Sequence, residues 1–164
     1  MTPDEASAVG ALAVAAYSGD FSLTDEYLAE IGAVDDRANR HEVWVAVDRT
    51  TGELLGTVST PRPGLSISPL AREGELDFRF LGVSHLARGR GVGELMVRHV
   101  LALGTARGAH RVVLNTGPDM IAAQRLYDRL GFTRLHDREY IVTRSDGTTF
   151  PILAYGLDLE PAPE

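Results

Sequence analysis

A chain of 164 residues with 44% hydrophobic content and a formal charge of −7 is long enough for one buried core and too short for two domains of typical size. Cys is absent, which excludes disulfides, thiolate metal sites and Cys-based covalent intermediates. All 16 basic residues are arginine, which excludes lysine-dependent phosphate loops and Schiff-base chemistry, and the negative charge argues against a nucleic-acid partner.

Thr2-Pro3-Asp4-Glu5 has the form of a helix start, with Thr2 as cap and Glu5 placed to return a hydrogen bond. Val9, Leu12, Ala13, Ala16 and Tyr17 then follow at helical spacing. Residues 18–40 are punctuated by Gly and Asp and hold one short predicted helix around 25–31. Runs at 43–47 (VWVAV) and 54–58 (LLGTV), joined through Thr51-Gly52, predict an antiparallel hairpin. After a loop over 61–74 rich in Pro, Gly and Ser, residues 76–83 read as a strand with Phe78 and Phe80 on one face and Asp77, Arg79 and Leu81 on the other.

The glycine turn Arg88-Gly89-Arg90-Gly91-Val92-Gly93 precedes the strongest helical period in the chain, Val92, Leu95, Met96, His99, Val100 and Leu103, with Gly104 and Gly108 marking its frayed end. Val112-Val113-Leu114 predicts a buried strand. Gly117-Pro118-Asp119 starts a second helix, lined by Ala123, Leu126 and Leu130 and stopped by Gly131. A hairpin of 139–144 and 149–159 about Ser145-Asp146-Gly147 closes the fold. One domain over 1–159 with a disordered tail over 160–164 is the expectation. No stretch reaches the roughly 20 apolar residues of a membrane span and no secretory signal is evident, so a cytoplasmic protein without membrane association is expected.

Between Ser84 and Arg111 the only acidic residue is Glu94, against Arg88, Arg90, Arg98, Arg107 and Arg111. A basic island in an acidic chain suggests a compact anionic ligand. Glycines 89, 91 and 93 at a helix start let several backbone N–H groups point at one phosphate, a connection that merely turns tightly being the competing reading. A Rossmann dinucleotide site does not fit: Met96 and Glu94 stand where its further glycine would be, and no acid follows from Leu95 through Pro118 to bind a ribose.

The same glycine turn resembles the acetyl-coenzyme A motif of the GNAT superfamily of N-acetyltransferases, Gln/Arg-x-x-Gly-x-Gly/Ala, and follows a segment (79–83, RFLGV) similar to that family's central strand. A second block, 123–132 (AQRLYDRLGF), resembles the family's late helix with its Leu-Tyr and Gly-Phe ending. The resemblance covers about 42–159. It implies an α/β (α+β) fold: a mixed, mostly antiparallel sheet with helices on both faces and a V-shaped splay between central strands for acyl-CoA. It also implies acetyl-CoA as co-substrate, with the backbone of Arg90, Gly91, Val92, Gly93 and Glu94 around the pyrophosphate. Leu81, Gly82 and Val83 would lie along the pantetheine arm, the Leu81 amide facing the thioester oxygen. Arg88 and Arg90 are candidates for the coenzyme's phosphates, whereas Arg98 and Arg107 are assigned to the solvated surface.

By the same resemblance Tyr127 would donate a proton to the leaving thiolate. Asp77 stands where many members carry a Glu, with Glu75 one pleat earlier on the same face; either acid, or a bridging water, would take the proton of the attacking amine, and an ion pair with neighbouring arginines is the competing reading. Met120 replaces an Asn usual at the start of the late helix, and the family's opening strand is not evident. The acceptor, a small-molecule or peptide amine, would be met by segments carrying Tyr17, Phe21, Tyr27, His41, Trp44, Tyr140 and Tyr155, most of them expected in the core. Glu26, Glu30, Asp35 and Asp36 would favour a cationic acceptor or else be surface charge. The five His lack ligand spacing, so no metal is expected. A homodimer through the C-terminal hairpin is compatible with the pattern. The alternative function is an inactive acyl-CoA-binding sensor or structural module.

Overall fold

The computed structural model describes residues 1–18 and 24–161, the side chain of Ser18 excepted. Phe21 and the last three residues of the expected tail lie outside the described residues. Thr2 and Glu5 form the expected capping box around a short 3-10 turn, which leads into α1 (Ala6–Ser18). The weakly patterned stretch holds two helices rather than one, α2 (Asp25–Gly32) and α3 (Val34–Arg40). The second was illegible because only Val34 and Arg37 of its seven residues are buried.

β1 (His41–Val47) and β2 (Leu54–Pro61) form the predicted hairpin, Asp48 accepting from the turn amides of Thr50 and Thr51. The predicted strand 76–83 is two strands, β3 (Glu75–Asp77) and β4 (Arg79–Val83), separated at Phe78. α4 (Val92–Ala106), β5 (Arg111–Thr116) and α5 (Ile121–Leu130) follow; α5 starts later than Gly117 suggested and stops as expected at left-handed Gly131. β6 (Thr133–Arg134), which no pattern announced, precedes the closing hairpin of β7 (Tyr140–Thr143) and β8 (Thr149–Asp158).

Partner exchange by the central strand organises the sheet. β3 pairs in parallel with β5 through Glu75↔Arg111 to Asp77↔Val113, and β4 pairs antiparallel with β2, giving the orders β1-β2-β4 and β3-β5-β8-β6. Two residues past the step at Phe78, within the register slip between β2 and β4, stands Phe80, the only non-glycine with positive φ (58°) among the described residues. A bulky side chain in that region costs roughly 1–3 kcal/mol, which the surroundings must offset. It also breaks the expected alternation. Phe78 joins the large core with Leu76, Val100, Val112 and Tyr127, whereas Phe80 joins a smaller cluster with Ala13, Tyr17 and Ile31.

Helices cover both faces, as the resemblance implied. Val92, Met96, Val97 and Val100 of α4 pack on Val58, Val112 and Leu114, and each fully buried aliphatic contributes about 1.5–3 kcal/mol. On the other face α1 lies against β4, and a Cβ at Gly82 would sit 3.4 Å from Ala16 Cβ. Arg107 is not a surface charge: it donates to Pro61 O (2.8 Å) and to Glu42 Oε2 (2.6 Å), which also accepts from Thr60 Oγ1 (3.2 Å).

Candidate active site

Past Asp77 and Val113 the central strands part company. Among the described residues β4 then has β2 on one edge and no ladder partner on the other, and residues 114–116 of β5 pair only with β8. Two backbone edges with unused hydrogen-bonding groups therefore face one cleft, an arrangement that persists only where water or a ligand satisfies them. Leu81, Gly82 and Val83 lie on its β4 side.

The cleft runs into the glycine turn. Gly89 (φ 75°) and Gly91 (φ 77°) both take the left-handed conformation, and Gly91 caps α4 with no side-chain hydrogen bond. Among the described residues nothing accepts from the amides of residues 90–94; the first bonded amide of the helix is that of Leu95, to Gly91 O at 3.0 Å. Those free N–H groups, added to the partial positive charge of a 15-residue helix, form an anion site. A Cβ at Gly93 would sit 3.3 Å from Leu126 and 3.7 Å from Val83, so turn, β4 and α5 converge at this point.

The candidate arginines are already engaged. Arg88 donates to Ala16 O (3.2 Å) and His85 Nε2 meets Ala15 O (2.8 Å), pinning the last turn of α1 to the glycine turn. Arg90 pairs with Asp48 (3.3 Å), whose carboxyl is held below the ordinary range first by the Thr51 and Thr50 amides. Arg98 pairs with Glu94 one turn away (2.9 Å).

Tyr127 sits beneath the cleft, 4% exposed, with ring centroids of Phe132, Tyr155 and Phe78 at 5.6, 5.8 and 6.3 Å. Its hydroxyl has no hydrogen-bond partner among the described residues. Burial, with a smaller contribution from Tyr155, pushes the phenol well above its ordinary value. Met120 at the start of α5 substitutes for the polar anchor: its sulfur accepts from Thr116 Oγ1 (3.3 Å) and the Gly117 amide (3.4 Å), while Gln124 Nε2 donates to Gly117 O and Pro118 O (both 3.1 Å).

Glu75 and Asp77 share a face but each is committed elsewhere. Asp77 is 1% exposed and accepts from the Ile67 amide (3.0 Å), the Ser68 amide (2.8 Å) and Ser68 Oγ (2.7 Å), fastening the 61–74 loop to the sheet. Glu75, its side chain 2% exposed, takes a two-pronged bond from Arg138 (2.6 and 2.8 Å) and one from the Arg72 amide (2.9 Å). Burial raises its pKa, but Arg138, the Arg72 amide and Arg111 outweigh burial and hold it below the ordinary range. Arg138 lies 63 residues from Glu75, so no local pattern could have announced the pair. Replacing Asp77 by alanine is expected to speed amide exchange at Ile67 and Ser68 by at least about tenfold, because both donors lose their acceptor. Hydrogen-exchange measurements read this directly, and unchanged protection would mean the loop is held by other contacts.

Among the described residues no three His, Asp or Glu are grouped to hold a metal, and no helix is long and apolar enough to cross a membrane. Of the acceptor-side aromatics, Tyr17 and Tyr155 are core, Tyr27, His41 and Trp44 are half-buried and Tyr140 is exposed. Trp44 donates to Thr60 Oγ1 (2.8 Å) and meets His99 edge to face, away from the cleft beneath α4.

Residues 9–132 match the acetyltransferase (GNAT) family. The 5-NmdU N-acetyltransferase of Pseudomonas phage PaMx11 is 30% identical over 117 residues, 71% of each chain. The N-acetyltransferase family 8 member 3 of Mus musculus is 36% identical over 97 residues, 59% of this chain but only 41% of the mouse protein. In fold, an aminoglycoside 6'-N-acetyltransferase solved with coenzyme A superposes with a TM-score of 0.67 at 16% identity, covering 99% of this chain and 95% of the other. With the family's fold, its glycine turn and its late helix assembled about one cleft, this chain belongs to the GNAT acetyltransferase family.

Proposed function

We propose that the chain transfers the acetyl group of acetyl-coenzyme A to a primary amine, on a small molecule or peptide, by direct attack in a ternary complex. The observation that carries this reading is the cleft of unpaired strand edges ending on five unpaired amides. A pantetheine arm carries amides that can bond to a free strand edge as an added strand would, and a pyrophosphate suits the helix start. Leu81, Gly82 and Val83 would bind the arm, the Leu81 amide would meet the thioester oxygen, and Gly89 through Glu94 would hold the phosphates, with Arg88 and Arg90 at their margin. A calorimetric titration with acetyl-coenzyme A, followed by amine-dependent thiol release, tests the reading; a folded chain that binds no coenzyme overturns it.

Tyr127 is the group assigned to the departing thiolate. A free thiol has a pKa of about 8.5, so a phenol held well above its ordinary value keeps its proton and stabilises sulfur by donating a hydrogen bond. Such a bond to a charged atom is worth about 1.5–3 kcal/mol, or about 10- to 100-fold in rate. Tyr127→Phe is expected to lower kcat by that factor with coenzyme affinity unchanged; an unaltered kcat would remove the role.

A cavity of about 510 Å3 lined by Leu70, Arg72, Asn115, Asp137, Arg138 and Tyr140 adjoins the β5 wall of the cleft, and is assigned to the acceptor. A larger concavity of about 710 Å3 between α1 and α3 lies away from the free strand edges. Because Asp77 and Glu75 are sequestered, water rather than either of these two carboxylates takes the amine's proton. The pH dependence of kcat/KM should then follow the acceptor amine's own pKa as acceptors are varied, and a profile fixed whatever the acceptor would show a protein base. The same sequestration favours a second reading, a sensor that binds acyl-CoA without turnover. Thiol release that never responds to any amine would support it.

A further inference from the structure

The strained residue just past the strand step is gripped from two sides in sequence. Phe80, 7% exposed, has the Arg37 guanidinium carbon 4.2 Å and the Arg79 guanidinium carbon 4.5 Å from its ring centroid. Arg37 is itself 5% exposed and forms no ion pair among the described residues. It donates instead to Ser59 Oγ (3.0 Å), Glu30 O (3.1 Å) and Ile31 O (3.0 Å), while Arg79 reaches the Glu30 carboxylate (3.6 Å). Ser59 stands opposite Arg79 where the β2–β4 register slips. One buried cation thus ties the end of α2, the slip in β2 and the ring of Phe80 together.

Glycine or asparagine would take the left-handed backbone at position 80 with little strain, yet neither offers a face to a cation. The next amide along the strand is that of Leu81. Its direction is fixed by the φ and ψ of Phe80, so whatever holds the ring also aims that N–H.

We propose that Arg37 and Arg79 are positioning residues for acetyl transfer: stacked on Phe80, they hold the left-handed step and thereby aim the Leu81 amide at the thioester carbonyl. This role rests on the acetyltransferase reading. It makes α2 and α3, remote from the glycine turn, part of the machinery that polarises the carbonyl, and it separates coenzyme affinity from carbonyl activation. Affinity comes mainly from the phosphate turn, activation from the clamp.

The test needs no identified acceptor. Acetyl-coenzyme A labelled with 13C at the thioester carbonyl is bound to the wild-type chain and to Arg37→Met, Arg37→Lys and Phe80→Leu, and the carbonyl stretch is read by isotope-edited infrared spectroscopy beside the calorimetric Kd. Wild type is expected to lower the stretch relative to free coenzyme, since a hydrogen bond weakens the C=O bond. Arg37→Met and Phe80→Leu, which has no ring face and does not favour the left-handed backbone, should lose half or more of that shift, with Kd changed by no more than about threefold, and Arg37→Lys should keep part of it through the retained cation–ring contact. If Arg37→Met fails to fold, Arg79→Met at the more exposed arm gives the same readout. A full wild-type shift in the folded Arg37 or Arg79 variant and in Phe80→Leu overturns the positioning role alone. A wild-type chain that binds no coenzyme overturns the acetyltransferase reading, and this role with it.

Discussion

A Gly91→Glu chain is expected to fold and to bind acetyl-coenzyme A at least about 100-fold more weakly than wild type, a loss of about 2.7 kcal/mol. Two effects act in the same direction. At φ 77° any side chain strains the cap of α4, and the added carboxylate stands where the helix start and five free amides attract an anion. Space is not the issue, because a Cβ at Gly91 meets nothing within 4 Å. Gly91→Ala therefore isolates the backbone effect and should cost less affinity than glutamate. Gly108, with φ 74° and equally open surroundings at the other end of α4, serves as control: Gly108→Glu carries comparable strain and should leave affinity unchanged. Calorimetry with a parallel melting curve decides the matter. Equal affinity in Gly91→Glu and wild type would show that the turn is only a connection.

The largest effect on stability is expected from Arg138→Met. It leaves the Glu75 carboxylate, 2% exposed, with only the Arg72 amide and a more distant Arg111 (3.8 Å). Breaking one side of such a pair costs about 3–5 kcal/mol, whereas replacing both partners by apolar groups is close to neutral. Arg138→Met should lower the melting temperature by about 10 °C, and adding Glu75→Leu should recover most of it. A loss under about 1 kcal/mol would mean the carboxylate is solvated after all.

The pH dependence of stability follows from the same carboxylate and from Glu139. Glu139 is lowered to about 2, chiefly by its bond from Arg134 against an opposing effect of burial. Both groups have folded pKa values below their ordinary 4.5, so their stabilisation is complete above that value and is lost as pH falls through the folded ones. Urea melts should show stability flat from pH 7 to about 5.5 and falling between about 4.5 and 2. In Arg138→Met the acid limb should be shallower, because Glu75 no longer contributes.

What could be read from the sequence was what is local. The helix cap at Thr2, the Thr51-Gly52 hairpin, the α4 period and the Gly131 stop each depend on residues within one or two turns, and all appear in the structure. The glycine turn was visible for the same reason. Helix α3 was not, since its buried Arg37 reads as surface charge until Phe80, 43 residues on, is seen beneath it. The period of two that placed Phe78 and Phe80 on one face failed because the register slip and the left-handed backbone at Phe80 carry that side chain to the opposite face. The commitments of Asp77 to the 61–74 loop and of Glu75 to Arg138 are tertiary, and residue type alone made both acids resemble bases.

The change of partner in mid-strand also bears on how the molecule avoids its own kind. An unpaired strand edge is a template on which another chain can add, and among the described residues the splay leaves two that border the cleft, along β4 and along the end of β5. Because one continuous stretch of chain serves β5 first and β2 afterwards, the two edges open from a common vertex and face each other across a narrow wedge. A thin, flexible ligand can enter such a wedge, whereas a foreign strand bearing side chains on both faces meets α4 and α5 below and α1 above. The shape of the opening is therefore expected to disfavour strand addition while leaving room for a thin ligand.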